Sequence, residues 1–347
     1  MSWLDDTDDE DDEFDEANVR VRPNPKANRP RTKRRPAHSD AEIARILGVD
    51  RGRYAVLVGE DTPEEHESVA MRARELRKQP IVTGDLARVV GDTSGGEGTL
   101  GRIVGIEPRT SLLRRSADDT DQVERVVVAN ADQMLVVVAA ADPEPRPRLV
   151  DRYLVAALDA GIRTLLVVTK TDLADPTSFL GHFEGLDLEV FTSARDEMPL
   201  EKIGASLVGH STVFVGHSGV GKSTLVNALV PSAQRATGHV NVVTGRGRHT
   251  SSSTVSLRYR GEGGSGWVID TPGVRSFGLG HVDPANILRA FTELDEIAQE
   301  CPRGCTHLPD APDCAMIEAL NAGRLGPRGA ARLDSLQRLL ETFADKA

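Results

Sequence analysis

The sequence predicts a multidomain chain: a small closed β-barrel, then an α/β domain on a parallel sheet, then a small α-helical domain around a metal. Three observations predict it. Short apolar runs separated by Gly, Asp and Thr turns crowd residues 54–113. From about residue 123, apolar strands alternate with helical patterns. All three cysteines fall between residues 301 and 314. A chain of 347 residues has room for two or three such domains.

Residues 1–39 are expected to form a disordered charged tail. Residues 1–16 carry ten acids and no base, and residues 20–35 carry eight bases and no acid. Pro23, Pro25, Pro30 and Pro36 accompany almost nothing apolar. Such a tail either solubilises the chain or, through the bases at 31–35, contacts phosphates, because mobile cations release counterions on meeting a polyanion. Over the whole chain 42 Lys and Arg stand against 53 Asp and Glu, a net charge of −11, so charge alone marks no nucleic-acid binder. The N-terminus is acidic where a secretory signal needs bases followed by an apolar stretch. The longest apolar run, 134–141, is far short of the roughly 20 residues that span a bilayer. An odd, clustered set of three cysteines fits a metal site in a reducing compartment better than a disulfide framework. The expectation is a cytoplasmic monomer without membrane contact.

Within 40–117, segments 54–58, 86–90, 100–106 and 111–113 are predicted strands. An OB-like barrel fits this length, with a plain β-domain as the alternative. Within 118–283, the run 134–141 is apolar without alternation, as in a strand buried on both faces. Leu149, Tyr153, Leu154, Ala157 and Leu158 then fall at helical spacing, and Gly161 closes that helix. Strands are predicted at 164–168, 188–191, 212–215 and 267–269 with helical stretches between, hence a parallel sheet covered on both faces. Within 284–347, helices are predicted at 284–298 and 328–343, the second with Leu333, Leu336, Leu339 and Leu340 on one side.

Gly216, His217, Ser218, Gly219, Val220, Gly221, Lys222 and Ser223 match G-x-x-x-x-G-K-[ST] in full, between a strand and a helix that continues through Thr224. Glycines let backbone N–H groups face phosphate oxygens, and the helix N-terminus adds positive potential. Lys222 would neutralise the β- and γ-phosphates, and Ser223 would bind Mg²⁺. Asp270-Thr271-Pro272-Gly273 ends the predicted strand 267–269, where Asp270 can hold Mg²⁺ through water and the Gly273 N–H can approach the γ-phosphate. Thr169-Lys170-Thr171-Asp172 follows the strand 164–168. The Asp172 carboxylate can accept from guanine's ring N–H and exocyclic amine, a donor pair adenine lacks, and the Lys170 stem can cover the base. Ser193 and Ala194 can offer a backbone N–H to the guanine oxygen. Cys301-x₃-Cys305-x-His307-x₆-Cys314 offers three thiolates and an imidazole, which suits one tetrahedral Zn²⁺.

The order of these motifs is informative, because in ordinary GTPases the phosphate loop precedes the guanine-reading residues. Over about residues 50–345 the chain resembles the circularly permuted GTPases, and among them the ribosome-small-subunit-dependent GTPase family, RsgA or YjeQ. Carrying the resemblance are Gly84-Asp85, Pro108-Arg109-Thr110-Ser111, Leu113-Arg114, Asp151-Arg152-Tyr153-Leu154-Val155, Gly247-Arg248-His249-Thr250 and Asp270-Thr271-Pro272-Gly273-Val274-Arg275. The resemblance implies a circularly permuted P-loop GTPase domain flanked by the barrel and a zinc-binding domain. It implies GTP hydrolysis in late assembly of the small ribosomal subunit, stimulated by that subunit, with ribosomal RNA and GTP or GDP as partners. It departs at Thr169, where Asn is usual, and at Ser251, Ser252 and Ser253, where threonines are common. Thr250 is the first choice for a second Mg²⁺ hydroxyl and Ser251 the second. Val274 stands where Ras-like enzymes place a water-orienting Gln. His249 is therefore the catalytic candidate beside Lys222, with a contact to RNA or solvent as the alternative. Two other readings stay open: a P-loop ATPase or kinase, and an RNA-binding protein with a structural nucleotide site.

Overall fold

In β1 (Glu42–Asp50) Ala44 and Ile46 enter the barrel interior, and an irregularity between Ile46 and Gly48 turns Leu47 to the opposite side. β2 (Arg53–Val58), β3 (His66–Arg72), β4 (Leu86–Gly91) and β5 (Gly101–Ile106) complete a ring. β1 pairs with β2 and β4, β2 with β3, β3 with β5 in parallel, and β5 with β4. The five strands thus close, which removes every edge. Tyr54, Val56, Ala70, Val89 and Ile103 fill the interior. This computed structural model describes residues 38–344 apart from 51, 77–78, 97, 117–123, 234–253, 273–276, 278 and 327.

The predicted strands at 54–58, 86–90 and 100–106 are β2, β4 and β5. The segment at 111–113 is not a barrel strand. It lies in β6 (Leu112–Ser116), which pairs antiparallel with β7 (Glu124–Ala129) in a separate ribbon, because β1 and β4 already close the ring.

The parallel sheet has the order β10-β9-β8-β11-β13. Its strands are β8 (Gln133–Ala139), β9 (Arg163–Thr169), β10 (Glu189–Thr192), β11 (Ser211–Val215) and β13 (Gly264–Asp270). β12 (Val255–Gly261) adds antiparallel to β13 and meets the barrel where Gly48 pairs with Val255. Residues 40–347 therefore form one unit. β8 is buried throughout and apolar from Met134 on because both faces are covered: Met134, Val136 and Val138 join one core, Leu135, Val137 and Ala139 the other. Each such Val or Leu contributes roughly 1.5–3 kcal/mol by burial.

On the first face lies α1 (Pro147–Asp159), started by Pro147 and, as predicted, closed at Gly161. Gly161 N bonds to Leu158 O and Ile162 N to Ala157 O, a Schellman closure that uses the orphan carbonyls. α2 (Thr177–Gly181) lies between β9 and β10. On the second face α3 (Leu200–Leu207) and α4 (Lys222–Leu229) share a core with Leu47, Ala55 and Leu57 of the barrel.

The C-terminal part holds α5 (Pro284–Arg289), α6 (Thr292–Ala298), α7 (Ala315–Asn321) and α8 (Gly329–Ala344). The single helix expected at 284–298 is two. The chain breaks at Ala290 and Phe291, which buries the Phe291 ring with the Arg332 guanidinium 5.3 Å from its centroid. Leu333, Leu336, Leu339 and Leu340 are buried, as predicted for α8. Asp151 of α1, fully buried, pairs with Arg338 of α8 at 3.1 Å and ties the helical part to the sheet. Burial raises the Asp151 carboxyl above its usual range, against the pull of Arg338. Among the described residues no helix is long and apolar enough to cross a membrane.

Candidate functional site

The phosphate loop leaves β11 at Val215 and enters α4 at Lys222. Two glycines are required by geometry. A Cβ on Gly216 would lie 2.5 Å from Val137 O, and Gly221 caps α4 with φ +91°. Val220 anchors the loop in the second core at 3% exposure. Lys222 Nζ forms an ion pair with Asp270 at the end of β13. Thr271 Oγ1 donates to Phe214 O at 2.8 Å and holds the chain after Asp270 against β11. His217 Nδ1 lies 2.9 Å from Ser218 O. Lys222 and Asp270 thus face each other across the ends of two adjacent parallel strands, the usual place for a ligand in such a sheet.

A cleft of about 360 Å³ opens beside this loop, within the range of small-molecule sites. Thr169, Lys170, Asp172, Ser193, Ala194, Gly221 and Thr224 line it, so it gathers most of the sequence-predicted base-binding residues. Two backbone bonds stitch its loops together: Thr171 N to Ser193 O at 3.2 Å, and Ser193 N to Val168 O at 2.8 Å. Asp172 Oδ1 accepts from Arg195 N at 3.1 Å, which fixes the carboxylate at the cleft. Lys170 Nζ donates to Asp142 O, stretching its stem along the loop. Thr169, 8% exposed, donates its hydroxyl to Val220 O at 2.6 Å. That bond joins the base loop to the phosphate loop where the family commonly has Asn.

Leu173, Arg195, Met198 and Leu225 also line the cleft and were not predicted. Leu173 carried a signal: a large apolar residue directly after Asp172, 59% exposed here. His249, Thr250, the alternative Ser251, and Gly273 lie outside the described residues.

Cys301, Cys305, His307 and Cys314 come together with their ligand atoms all within 4.8 Å of one another. Cys301 Sγ lies 3.6 Å from His307 Nδ1 and 4.0 Å from Cys314 Sγ. A tetrahedral zinc with Zn–S of about 2.3 Å sets its donors roughly 3.5–3.8 Å apart, so the set fits. Burial pushes the Cys301 thiol up to about 11, aided by the neighbouring thiols, and lowers His307 toward its neutral form. A neutral imidazole and thiols that a cation can deprotonate are the donor set of a structural metal site. Gln337 of α8 holds the loop by donating to His307 O at 3.1 Å.

The RsgA GTPase family model matches residues 106–280. The chain is 38% identical over 277 residues to the small ribosomal subunit biogenesis GTPase RsgA of Pseudomonas aeruginosa, covering 76% of each. It is 42% identical over 253 residues to that of Pseudomonas syringae pv. syringae, covering 71% of each. The chain belongs to the RsgA GTPase family. Its fold is also that of YjeQ from Thermotoga maritima, with a TM-score of 0.63 at 22% identity over 88% of this chain and all of that one. YloQ, described as a circularly permuted GTPase, gives 0.60 at 23% identity over 90% and 99%. RsgA membership favours the GTPase reading over an ATPase, a kinase or a structural nucleotide site.

Proposed function

We propose that this RsgA-family GTPase acts as a late assembly factor of the small ribosomal subunit, binding ribosomal RNA and leaving when GTP is hydrolysed. The named relatives are small ribosomal subunit biogenesis GTPases, which supports the partner. The observation that carries the nucleotide reading is the cleft in which Asp172 is fixed beside a phosphate loop tied to it through Thr169.

In this reading Asp172 accepts from the guanine N–H groups, the Lys170 stem covers the base, and Ser193 and Ala194 border its oxygen. Backbone N–H groups of 216–223, with Thr224 following, hold the phosphates. Binding exchanges the Lys222–Asp270 pair for new partners: Lys222 turns to phosphate oxygens, and Asp270 becomes free for a hydrated cation. Ser223 and Thr250, with Asp270, would hold Mg²⁺, which would supply charge neutralisation at the phosphates. His249 orients the attacking water, since Val274 has no polar group to do so. Cys301, Cys305, His307 and Cys314 would hold one zinc per chain, which would order the C-terminal helices. The reading divides the chain at 40–117, 118–283 and 284–347 and makes it a cytoplasmic monomer.

Asp172→Asn tests it. Hydrogen bonds to a charged acceptor contribute roughly 1.5–3 kcal/mol, so GTP affinity should fall about ten- to a hundredfold. Xanthosine triphosphate, whose extra carbonyl accepts from the Asn amide, should bind the variant better than GTP does. Equal GTP affinity in variant and parent removes Asp172 from base recognition.

A further inference from the structure

The barrel grips the β12–β13 hairpin at two places. At one end Thr83 Oγ1 donates to Thr254 O at 3.1 Å, and Gly48 pairs with Val255. At the other, the turn between β2 and β3 lays three acids along β12. Arg258 bonds to Glu60 at 3.2 Å and also to Asp61, and Arg260 bonds to Glu65 at 3.1 Å.

Glu60 is the hub of this second grip. Its carboxylate accepts from Arg45 Nε at 2.8 Å, Arg258 Nη1 at 3.2 Å and Trp267 Nε1 at 2.7 Å. Arg45 belongs to the barrel, whereas Arg258 and Trp267 are cross-strand partners in the hairpin. Both guanidiniums also lie over the same indole, 5.1 and 4.9 Å from its centroid. The Arg45, Glu60 and Arg258 side chains are only 13%, 20% and 16% exposed, so solvent screens these charge-assisted bonds weakly.

From this hub the ladder runs to the phosphate site. Arg258 faces Trp267, Leu257 faces Val268, Ser256 faces Ile269, and Val255 faces Asp270. Asp270 is the partner of Lys222. A rigid antiparallel ladder therefore joins a barrel carboxylate to the pair that must separate when a triphosphate binds.

We propose that Glu60 is a positioning residue for GTP hydrolysis: it sets the β12–β13 hairpin, and through it Asp270, so that a load on the barrel is felt at the phosphate site. This rests on the GTPase reading above. Replacing Glu60 by Gln leaves two guanidiniums around one neutral amide. Their repulsion opens the hub without touching the nucleotide cleft.

The test uses the full-length chain carrying Trp3→Phe, which leaves Trp267 as the sole tryptophan. In the parent, a non-hydrolysable GTP analogue with Mg²⁺ should shift Trp267 emission relative to GDP. Glu60→Gln should abolish most of that difference. It should also lower subunit-stimulated kcat about tenfold while KM for GTP stays within about twofold, and Glu60→Asp should restore part of the rate. An emission difference and a kcat equal to the parent's overturn the proposal. Should Glu60→Gln fail to fold by circular dichroism, Arg258→Lys keeps the charge but loses the fork that reaches both Glu60 and Asp61. It should lower kcat about threefold, and an unchanged kcat there overturns the proposal equally. A parent that binds no GTP in direct titration defeats the GTPase reading. A parent that binds and hydrolyses GTP, with Glu60→Gln matching it, defeats only the positioning role.

Discussion

One hydroxyl bonds the end of β9 to the loop that leads into α4. Thr169 Oγ1 donates to Val220 O, and Val220 is buried, so the loop after β9 is registered against the part of the phosphate loop anchored in the core. Asn has two polar groups for this task and Thr has one, but the one is well placed. Thr169→Val keeps the shape, removes the donor and leaves Val220 O without this partner. The cost should be about 1–1.5 kcal/mol, or roughly five- to tenfold in GDP affinity by calorimetry, with unchanged far-UV circular dichroism. Unchanged affinity would show that the loops are registered by other contacts. At this scale the sequence is legible where a motif demands a residue type: Lys222, Asp172 and the glycines stand out because phosphate and guanine leave few chemical options. Thr169 standing where a loop-tying Asn is usual pointed to a link between the two loops, but its partner, Val220 O, was not legible, since it depends on a 2.6 Å approach between segments 51 residues apart.

Elements differ in how much of their pattern survives burial. β2, β4 and β5 carry apolar runs that sequence can find, as does β8. β1 hides because its bulge reverses the alternation at Leu47, and β3 because Ser68 and Ala70 are small at its buried positions. β12 did carry the signal, with Val255, Leu257 and Tyr259 buried at alternate positions. The break between α5 and α6 was invisible, since Phe291 continues the apolar period and only packing against Arg332 shows why the chain turns.

Two predictions belong to elements. His66, at the start of β3, has Nδ1 2.6 Å from Glu64 O and Nε2 2.8 Å from Thr93 O. Only the imidazolium can donate to both, so these carbonyls raise its pKa above 6.5. The stabilisation is fully present below pH 6.5 and is lost as pH rises through the raised value. An NMR titration of the His66 ring should show this, and a midpoint at or below 6.5 contradicts it. In the C-terminal part, Cys301 follows α6 and Cys314 caps α7, so a metal there joins two short helices whose Leu294 and Met316 share one core. Elemental analysis should find one equivalent of zinc in the parent and none in Cys305→Ser. Hydrogen exchange should then rise first around residues 300–320, because metal binding contributes folding free energy. Retained zinc, or exchange rising equally in the β-sheet, would contradict this.

At the scale of the whole molecule, the permuted order has a structural consequence. β12 and β13 come last in the sheet, so the hairpin that ends at Asp270 also meets the barrel through Gly48 and Glu60. The helical part grips the other face through Asp151 and Arg338. The nucleotide cleft therefore lies in a sheet clasped by two flanking parts, either of which can transmit the presence of a partner. In the proposed reading, slow hydrolysis by the free chain and acceleration on the small ribosomal subunit are expected of that arrangement, since Val274 offers no polar group to an attacking water. The most direct measurement is phosphate release under multiple turnover with GTP and with ATP, each with and without purified small subunits. The account predicts slow release from GTP alone, stimulation of at least about tenfold by subunits, and none from ATP in either condition. Equal turnover of ATP, or a GTP rate indifferent to the subunits, would contradict it.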